Sequence, residues 1–226
     1  MDFCKRVTSF KEFAEVISAK ITEIAKTSGD KITVGLSGGS TIPPVMKALA
    51  EDELKALLPE NLVWTWIDER LVTYDHAGSN YGSMKDFIPK GEDLPLPFED
   101  GVDKAAAYQT AFSGSELPAL DLLVLGFGDD GHIASLFPGT AALEKDCTAT
   151  DWLFRNEAGY EPKQRWSWGM KALTNSKNTI VVYKGGATGD KVDHMRAAVE
   201  DAKCDTPLAR FVRQTEGELS YYQVDL

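Results

Sequence analysis

Four short apolar runs set the limits on how this chain can fold. Residues 31–36, 62–67, 120–125 and 178–183 are each six residues long, are dominated by Val, Ile, Leu and Trp, and each gives way to glycine or to charge. Runs of that length are too short for core helices and fit strands buried on both faces. Helical periodicity fills the intervals. Ser9 and Glu12 have capping-box spacing, and Phe10, Phe13, Ile17, Ile21 and Ile24 then recur every three or four residues, up to an expected stop at Gly29. Further helices are expected over 44–58, 79–88 and 103–113 and from Asp190, where Val192, Met195 and Val199 share a face; a last apolar stretch covers 219–224. Strands alternating with helices predict an α/β fold of three layers, with a mostly parallel central sheet and helices on both faces. No internal repeat, low-complexity tract or linker interrupts the pattern, so residues 1–226 are expected to form one domain.

The chain carries 24 Lys and Arg against 35 Asp and Glu, a net charge of −11. That balance argues against a nucleic-acid partner, which needs a basic footprint. It looks equally unfavourable for a phosphorylated substrate, although net charge says little about one pocket. Cys4, Cys147 and Cys204 are scattered and lack C-x-x-C spacing, which argues against a disulfide framework or a structural zinc and fits a reducing compartment. The first residues hold no apolar run suited to a signal sequence or a membrane span, so a cytoplasmic protein with no membrane partner is expected.

In open parallel sheets ligands bind beyond the carboxyl ends of the strands, and four post-strand loops stand out. The first is Leu36-Ser37-Gly38-Gly39-Ser40-Thr41. Its glycines leave backbone N–H groups uncovered, Ser40 and Thr41 add hydroxyls, and a helix start carries partial positive charge: either a phosphate cradle or a plain Ser-capped turn. It is not a Walker loop, since no G-x-x-x-x-G-K-[S/T] occurs. The second follows Trp64 and Trp66, whose alternation reads as sheet packing. It is Asp68-Glu69-Arg70. Charges at a strand exit ordinarily mark a solvated face; alternatively Arg70 offers a forked donor for an anionic oxygen, and Asp68 an orienting or proton-handling carboxylate.

The third loop runs from Gly126 through Gly128, Asp129, Asp130, Gly131 and His132 to Pro138 and Gly139. It satisfies G-x-G-x-x-G, but a dinucleotide site is rejected: Asp129 and Asp130 would repel a pyrophosphate, and Pro138 would shorten the helix. What the loop offers is His132 beside two carboxylates, a side chain suited to moving protons near pH 7 with a partner to fix its tautomer. In the fourth, Lys191 occupies a first helical turn, where the helix dipole disfavours a cation unless an anion sits close by. Lys184 and Arg196 read as solvated charges, His76 as part of a polar turn, and His194 as lying off the apolar face of its helix.

With these segments, and with Ser79-Asn80-Tyr81, Arg165, Ser167, Gly189-Asp190-Lys191 and Leu208-Ala209-Arg210-Phe211-Val212, the chain resembles the 6-phosphogluconolactonases, part of a family shared with glucosamine-6-phosphate deaminases. The resemblance runs in order through nearly the whole chain. It implies a Rossmann-like fold, no metal and no cofactor, and a site built from the four loops. A small phosphorylated sugar lactone would be the partner, bound to a monomer or weak homo-oligomer. The deaminases continue a similar His loop with Asn-Glu-Pro, and that glutamate assists sugar-ring opening; here Phe137 stands in its place, and a phenyl ring transfers no protons. Two departures are Ile42-Pro43-Pro44, one residue longer before proline than the usual motif, and Trp166 and Trp168 in place of smaller residues after Arg165.

The resemblance implies hydrolysis of 6-phospho-glucono-δ-lactone, with His132 taking a proton from the attacking water and returning one to the ring oxygen. Arg70, Lys191 and residues Ser37, Gly38, Gly39, Ser40 and Thr41 would hold the phosphate, and Asp68 and Asp130 would orient the site. A Ser–His hydrolase is disfavoured because no G-x-S-x-G elbow occurs. Two alternatives are a deaminase acting on an amino-sugar phosphate, which ammonia release would reveal, and a non-catalytic sugar-phosphate sensor. A sensor would need a DNA-binding segment, and the single helix before Lys31 leaves no room for one.

Overall fold

A computed structural model describes residues 3–28, 30–98, 102–113, 116–186 and 190–225. Gly29 and Gly189, named above as a helix stop and as part of a motif, lie outside the described residues. The strands are β1 (Cys4–Val7), β2 (Ile32–Leu36), β3 (Leu62–Trp66), β4 (Asp68–Arg70), β5 (Glu92–Leu94), β6 (Leu122–Leu125), β7 (Leu153–Glu157), β8 (Gln164–Trp168), β9 (Asn178–Lys184) and β10 (Glu218–Val224). The helices are α1 (Phe10–Ala25), α2 (Ile42–Leu49), α3 (Asp52–Leu57), α4 (Val102–Ser113), α5 (Met170–Thr174), α6 (Asp190–Glu200) and α7 (Pro207–Gln214).

Among the described residues, seven strands form one wholly parallel sheet in the order β1-β10-β9-β6-β2-β3-β5. Val34, Leu36, Trp64 and all four residues of β6 are buried, which is why these strands read as unbroken apolar runs. Trp64 and Trp66 are sheet packing as expected, and the Trp64 indole donates to the Lys90 carbonyl at 2.7 Å. From β2 the chain steps outward to β3, whereas β6 steps the other way to β9, so the sheet changes direction between β2 and β6. Right-handed crossovers then place α1, α2 and α3, which pack together, on one face, and α5, α6 and α7 on the other. The point where crossovers diverge leaves a crevice at the strand carboxyl ends. Loops 37–41 and 126–139 open directly onto it.

The Ser9 cap of α1 accepts from the Glu12 N–H at 3.1 Å, while the Glu12 carboxylate reaches back to the Thr8 N–H at 2.6 Å, one residue further than a standard capping box. Two expected helices are corrected. Residues 44–58 are not one helix: Glu51 is extended (φ −64°, ψ 142°), and Asp52 and Glu53 open a new helix whose first turn favours acid. Residues 79–88 form turns with a single 3₁₀ turn at Lys85–Phe87. Here the N–H groups of Asn80 and Tyr81 are taken by a carboxylate from elsewhere, and the backbone bonds that follow mix four-residue spacing (Ser83 to Ser79, Lys85 to Tyr81) with three-residue spacing (Met84 to Tyr81, Phe87 to Met84), so no regular helix runs through the segment.

A second, antiparallel sheet in the order β4-β8-β7 adjoins the first. Cys4, Cys147 and Cys204 are free thiols. No helix among the described residues is long and apolar enough to cross a membrane.

Candidate active site

The crevice beside β2 and β6 is a cleft of about 240 Å³ lined by Ser37, Gly38, Gly39, Ser40, Thr41, Asp68, Arg70, His132 and Lys191, together with Phe127, Tyr160 and Arg165. Nine of the ten residues expected at the site therefore line one cleft, and the tenth, Asp130, stands directly behind His132.

His132 is positioned by its own loop. Gly128 N–H donates to the His132 carbonyl at 2.9 Å and Gly131 N–H to the Gly128 carbonyl at 3.0 Å, closing a tight turn whose Gly131 has φ +75°. Gly128 has a second reason to be glycine, since a Cβ there would lie 2.0 Å from His132 Cε1. Asp130 Oδ1 sits 2.6 Å from His132 Nδ1 and also accepts from the His132 backbone N–H at 3.1 Å. A carboxylate only accepts, so Nδ1 carries a proton toward Asp130, and Nε2 is the ring nitrogen that this carboxylate does not engage. Burial works against the charged form of Asp130, yet the His132 backbone N–H and the imidazole together hold its carboxyl below the usual range. The Phe137 ring lies 4.6 Å from the imidazole, centroid to centroid, so the position held by a glutamate in the deaminase pattern presents an apolar face. Ala134, also in the cleft, has φ 48°, a left-handed backbone that costs a non-glycine residue on the order of 1 kcal/mol. The turn is buttressed from below by Leu208 N–H donating to the Gly131 carbonyl at 3.0 Å.

The Asp68-Glu69-Arg70 segment is not a solvated charge cluster. Asp68 is 5% exposed and Glu69 0%. They are buried because they form β4 of the small sheet, paired with β8, and the 78–81 turn folds onto that strand. Asp68 accepts from Ser135 Oγ at 2.7 Å and from Asn80 Nδ2 at 3.2 Å, linking it to both the His loop and the turn. Arg70 donates from Nη1 to the Gly78 carbonyl at 2.5 Å. In the antiparallel register Arg70 faces Arg165, which is 2% exposed. Like charges directly opposite destabilise a strand pair. Burial first, and Arg70 second, push the Arg165 guanidinium below its usual value. Arg70 Nε and Arg165 Nη2 are buried with no hydrogen-bond partner among the described residues. Two crowded guanidinium groups at the lining of an open cleft are chemically suited to an anion. Tyr160, 51% exposed, caps this end, with the Arg165 guanidinium 5.4 Å from its ring centroid.

The glycine loop completes the enclosure. Gly38 is pressed against Asn80, whose amide oxygen would lie 2.0 Å from a Cβ there, and Gly39 has φ +90°. Ser37 Oγ accepts from Gly126 N–H at 2.9 Å, so it clamps two loops together. Thr41 is the N-cap of α2 but spends no side-chain bond on capping, which leaves its hydroxyl for the cleft. Pro43 and Pro44 carry no N–H, so the donors at this helix end belong to Ser40, Thr41 and Ile42. Lys191 closes the other side, 3.4 Å from Asp129 Oδ1. Among the described residues no three His, Cys, Asp or Glu side chains converge as metal ligands.

Residues 6–221 match the family model described as glucosamine-6-phosphate isomerases/6-phosphogluconolactonase. The chain belongs to that family. Its relatives include 6-phosphogluconolactonase of Rattus norvegicus, 30% identical over 92% of this chain and 84% of the relative. The Homo sapiens 6-phosphogluconolactonase is 30% identical over 85% of this chain and 78% of the relative. Among solved structures, 6-phosphogluconolactonase from Trypanosoma cruzi superposes with TM-score 0.80 at 25% identity, covering 100% of this chain and 96% of the other. That from Thermotoga maritima gives TM-score 0.78 at 25% identity, covering 99% of each. The parallel sheet with a small antiparallel annex is thus the fold of this family's lactonase structures. Reading the sequence alone left three features of the family site here unplaced: the role of Arg165, the burial of Glu69, and the supporting bonds of Asn80 and Ser135. Only the presence of these residues in the Asp68-Glu69-Arg70, Ser79-Asn80-Tyr81, Arg165 and His-loop segments hints at them.

Proposed function

We propose that the protein hydrolyses 6-phospho-glucono-δ-lactone to 6-phosphogluconate. The observation that carries this reading is the shared cleft: an imidazole with Nδ1 committed to Asp130 and Nε2 free, across from a buried arginine pair with unspent donors. The phosphate would rest on Arg70, Arg165 and Lys191 and the N–H groups around residues 38–42, which puts the lactone ring toward His132. Nε2 takes a proton from water as the water oxygen attacks the lactone carbonyl carbon. Asp130 stabilises the resulting imidazolium. Collapse of the tetrahedral intermediate breaks the bond to the ring oxygen, which receives the proton back from Nε2 and leaves as a hydroxyl. The product is the open-chain acid. Asp68, held by Ser135 and Asn80, orients Arg70 and the sugar hydroxyls. The apolar face of Phe137 favours this over an amino-sugar reaction that needs a second carboxyl beside the histidine.

The test is a lactonase assay at short times, before spontaneous ring opening dominates, with His132→Ala as the control. Rapid acid production by the wild type alone is the expected result. Ammonia release from glucosamine 6-phosphate, with no lactone hydrolysis above background, would replace the proposal.

A further inference from the structure

We propose that Glu69, which takes no part in the chemistry, is the positioning residue for the anion seat. Its carboxylate receives four donors. Oε1 accepts from the N–H of Arg70 and the N–H of Asn80, both at 2.7 Å. Oε2 accepts from Tyr81 N–H at 2.8 Å and Ser79 Oγ at 3.0 Å. A carboxylate is acceptor-only and can satisfy all four; an amide would turn its NH₂ against at least one backbone N–H. Such a site selects glutamate over its own isostere.

The bonds fasten β4 to the 78–81 turn, and two residues of that turn, Gly78 and Asn80, hold residues that line the cleft. Gly78, at the head of the turn, supplies the carbonyl that holds Arg70 Nη1. Asn80 holds the Asp68 carbonyl at 2.9 Å and packs against Gly38 of the glycine loop. Tyr81 sets its ring edge-on to Trp66 at 4.9 Å between centroids. The charge matters as well as the geometry, because Glu69 and Asp68 are the buried carboxylates set against the Arg70–Arg165 pair. Without Glu69 the two guanidinium groups lose one of the buried negative charges set against them. None of the four donors comes from the His132 loop. Loss of Glu69 should therefore degrade anion binding far more than turnover, which distinguishes positioning from a general structural role.

This inference rests on the proposed lactonase reading for its substrate but not for its logic. KM and kcat for 6-phospho-glucono-δ-lactone, and the inhibition constant for inorganic phosphate, are to be measured on the full chain and on Glu69→Gln and Ser79→Ala, with folding checked by circular dichroism. Glu69→Gln is expected to raise KM and the phosphate inhibition constant about tenfold while kcat stays within about threefold; Ser79→Ala, losing one donor, should move both constants the same way by about two- to threefold. A folded Glu69→Gln with unchanged constants, or one that loses kcat alone, overturns the proposal. Should Glu69→Gln not fold, Ser79→Ala decides by the same criterion. Should the wild type fail to hydrolyse the lactone, the functional reading falls, and phosphate affinity measured by direct titration of wild type and variants still decides the role of Glu69.

Discussion

The two ends of the cleft are built in opposite ways. The His132 end is a single loop that holds itself: its turn closes through Gly128 and Gly131, Asp130 lies two residues from the histidine it orients, and Phe137 packs on the ring from the same segment. The arginine end is assembled from β4, β8 and the 78–81 turn, and no short stretch of chain contains it. The first arrangement suits a group that must present a free nitrogen to water with little else in contact. The second suits a charge that must be fixed against its neighbour's repulsion, which takes buried counter-charges from several segments. Proton chemistry can be local; a buried cation pair cannot.

If this division is real, mutations at the two ends should separate in kinetics. The largest effect is expected from His132→Ala, a loss of about 10²–10⁴-fold in kcat with KM little changed. Nearly full turnover in that variant would remove the imidazole from the mechanism. Next comes Gly128→Ala, where the added methyl displaces the ring; misplacing a catalytic group by about 1 Å can cost about 10²-fold, and kcat should carry the loss. Arg70→Ala should act on the other constant, weakening 6-phosphogluconate binding by about 1.5–3 kcal/mol, as calorimetric titration would show. An unchanged affinity would take Arg70 out of the anion seat, and a loss confined to kcat would erase the contrast between the ends.

The smallest effect concerns pH. The folded-state pKa of Asp130 is depressed, so its ionised form stabilises the fold above the unfolded carboxylate value of about 4, and that contribution is lost as pH falls through the folded value. Urea midpoints of wild type and Asp130→Asn should differ slightly at neutral pH and converge in acid. A gap that widened on acidification would contradict the sign.

The same contrast explains what could be read without a structure. The capping of α1, the strands β2, β3, β6 and β9 and the His132 loop are legible because each is written in a few neighbouring residues: an apolar run, a spacing, a glycine turn; the edge strands β1 and β5 and the small sheet are not. In sequence Glu69 reads most simply as part of a solvated face, because strand exits usually meet water and nothing nearby announces that residues 78–81 fold back to cover it. Residues 79–88 looked helical for the complementary reason. Their apolar spacing suits a helix, but their backbone bonds mix three- and four-residue spacing, and their start is tied to a carboxylate some ten positions earlier. Arg165 can be named from its motif, yet its burial opposite Arg70 depends on the pairing of β8 with β4.

The sequence by itself determined the α/β class, the strands that bury on both faces and the loop that carries the histidine, since local propensity and periodicity are short-range properties of the chain. The tertiary structure alone decided which charges are buried and which cations meet. It also resolved how a chain of net charge −11 gathers Arg70, Arg165 and Lys191 around one cleft. Burial and long-range charge pairing depend on which distant segments the crossovers bring together, and that information is spread over the whole chain.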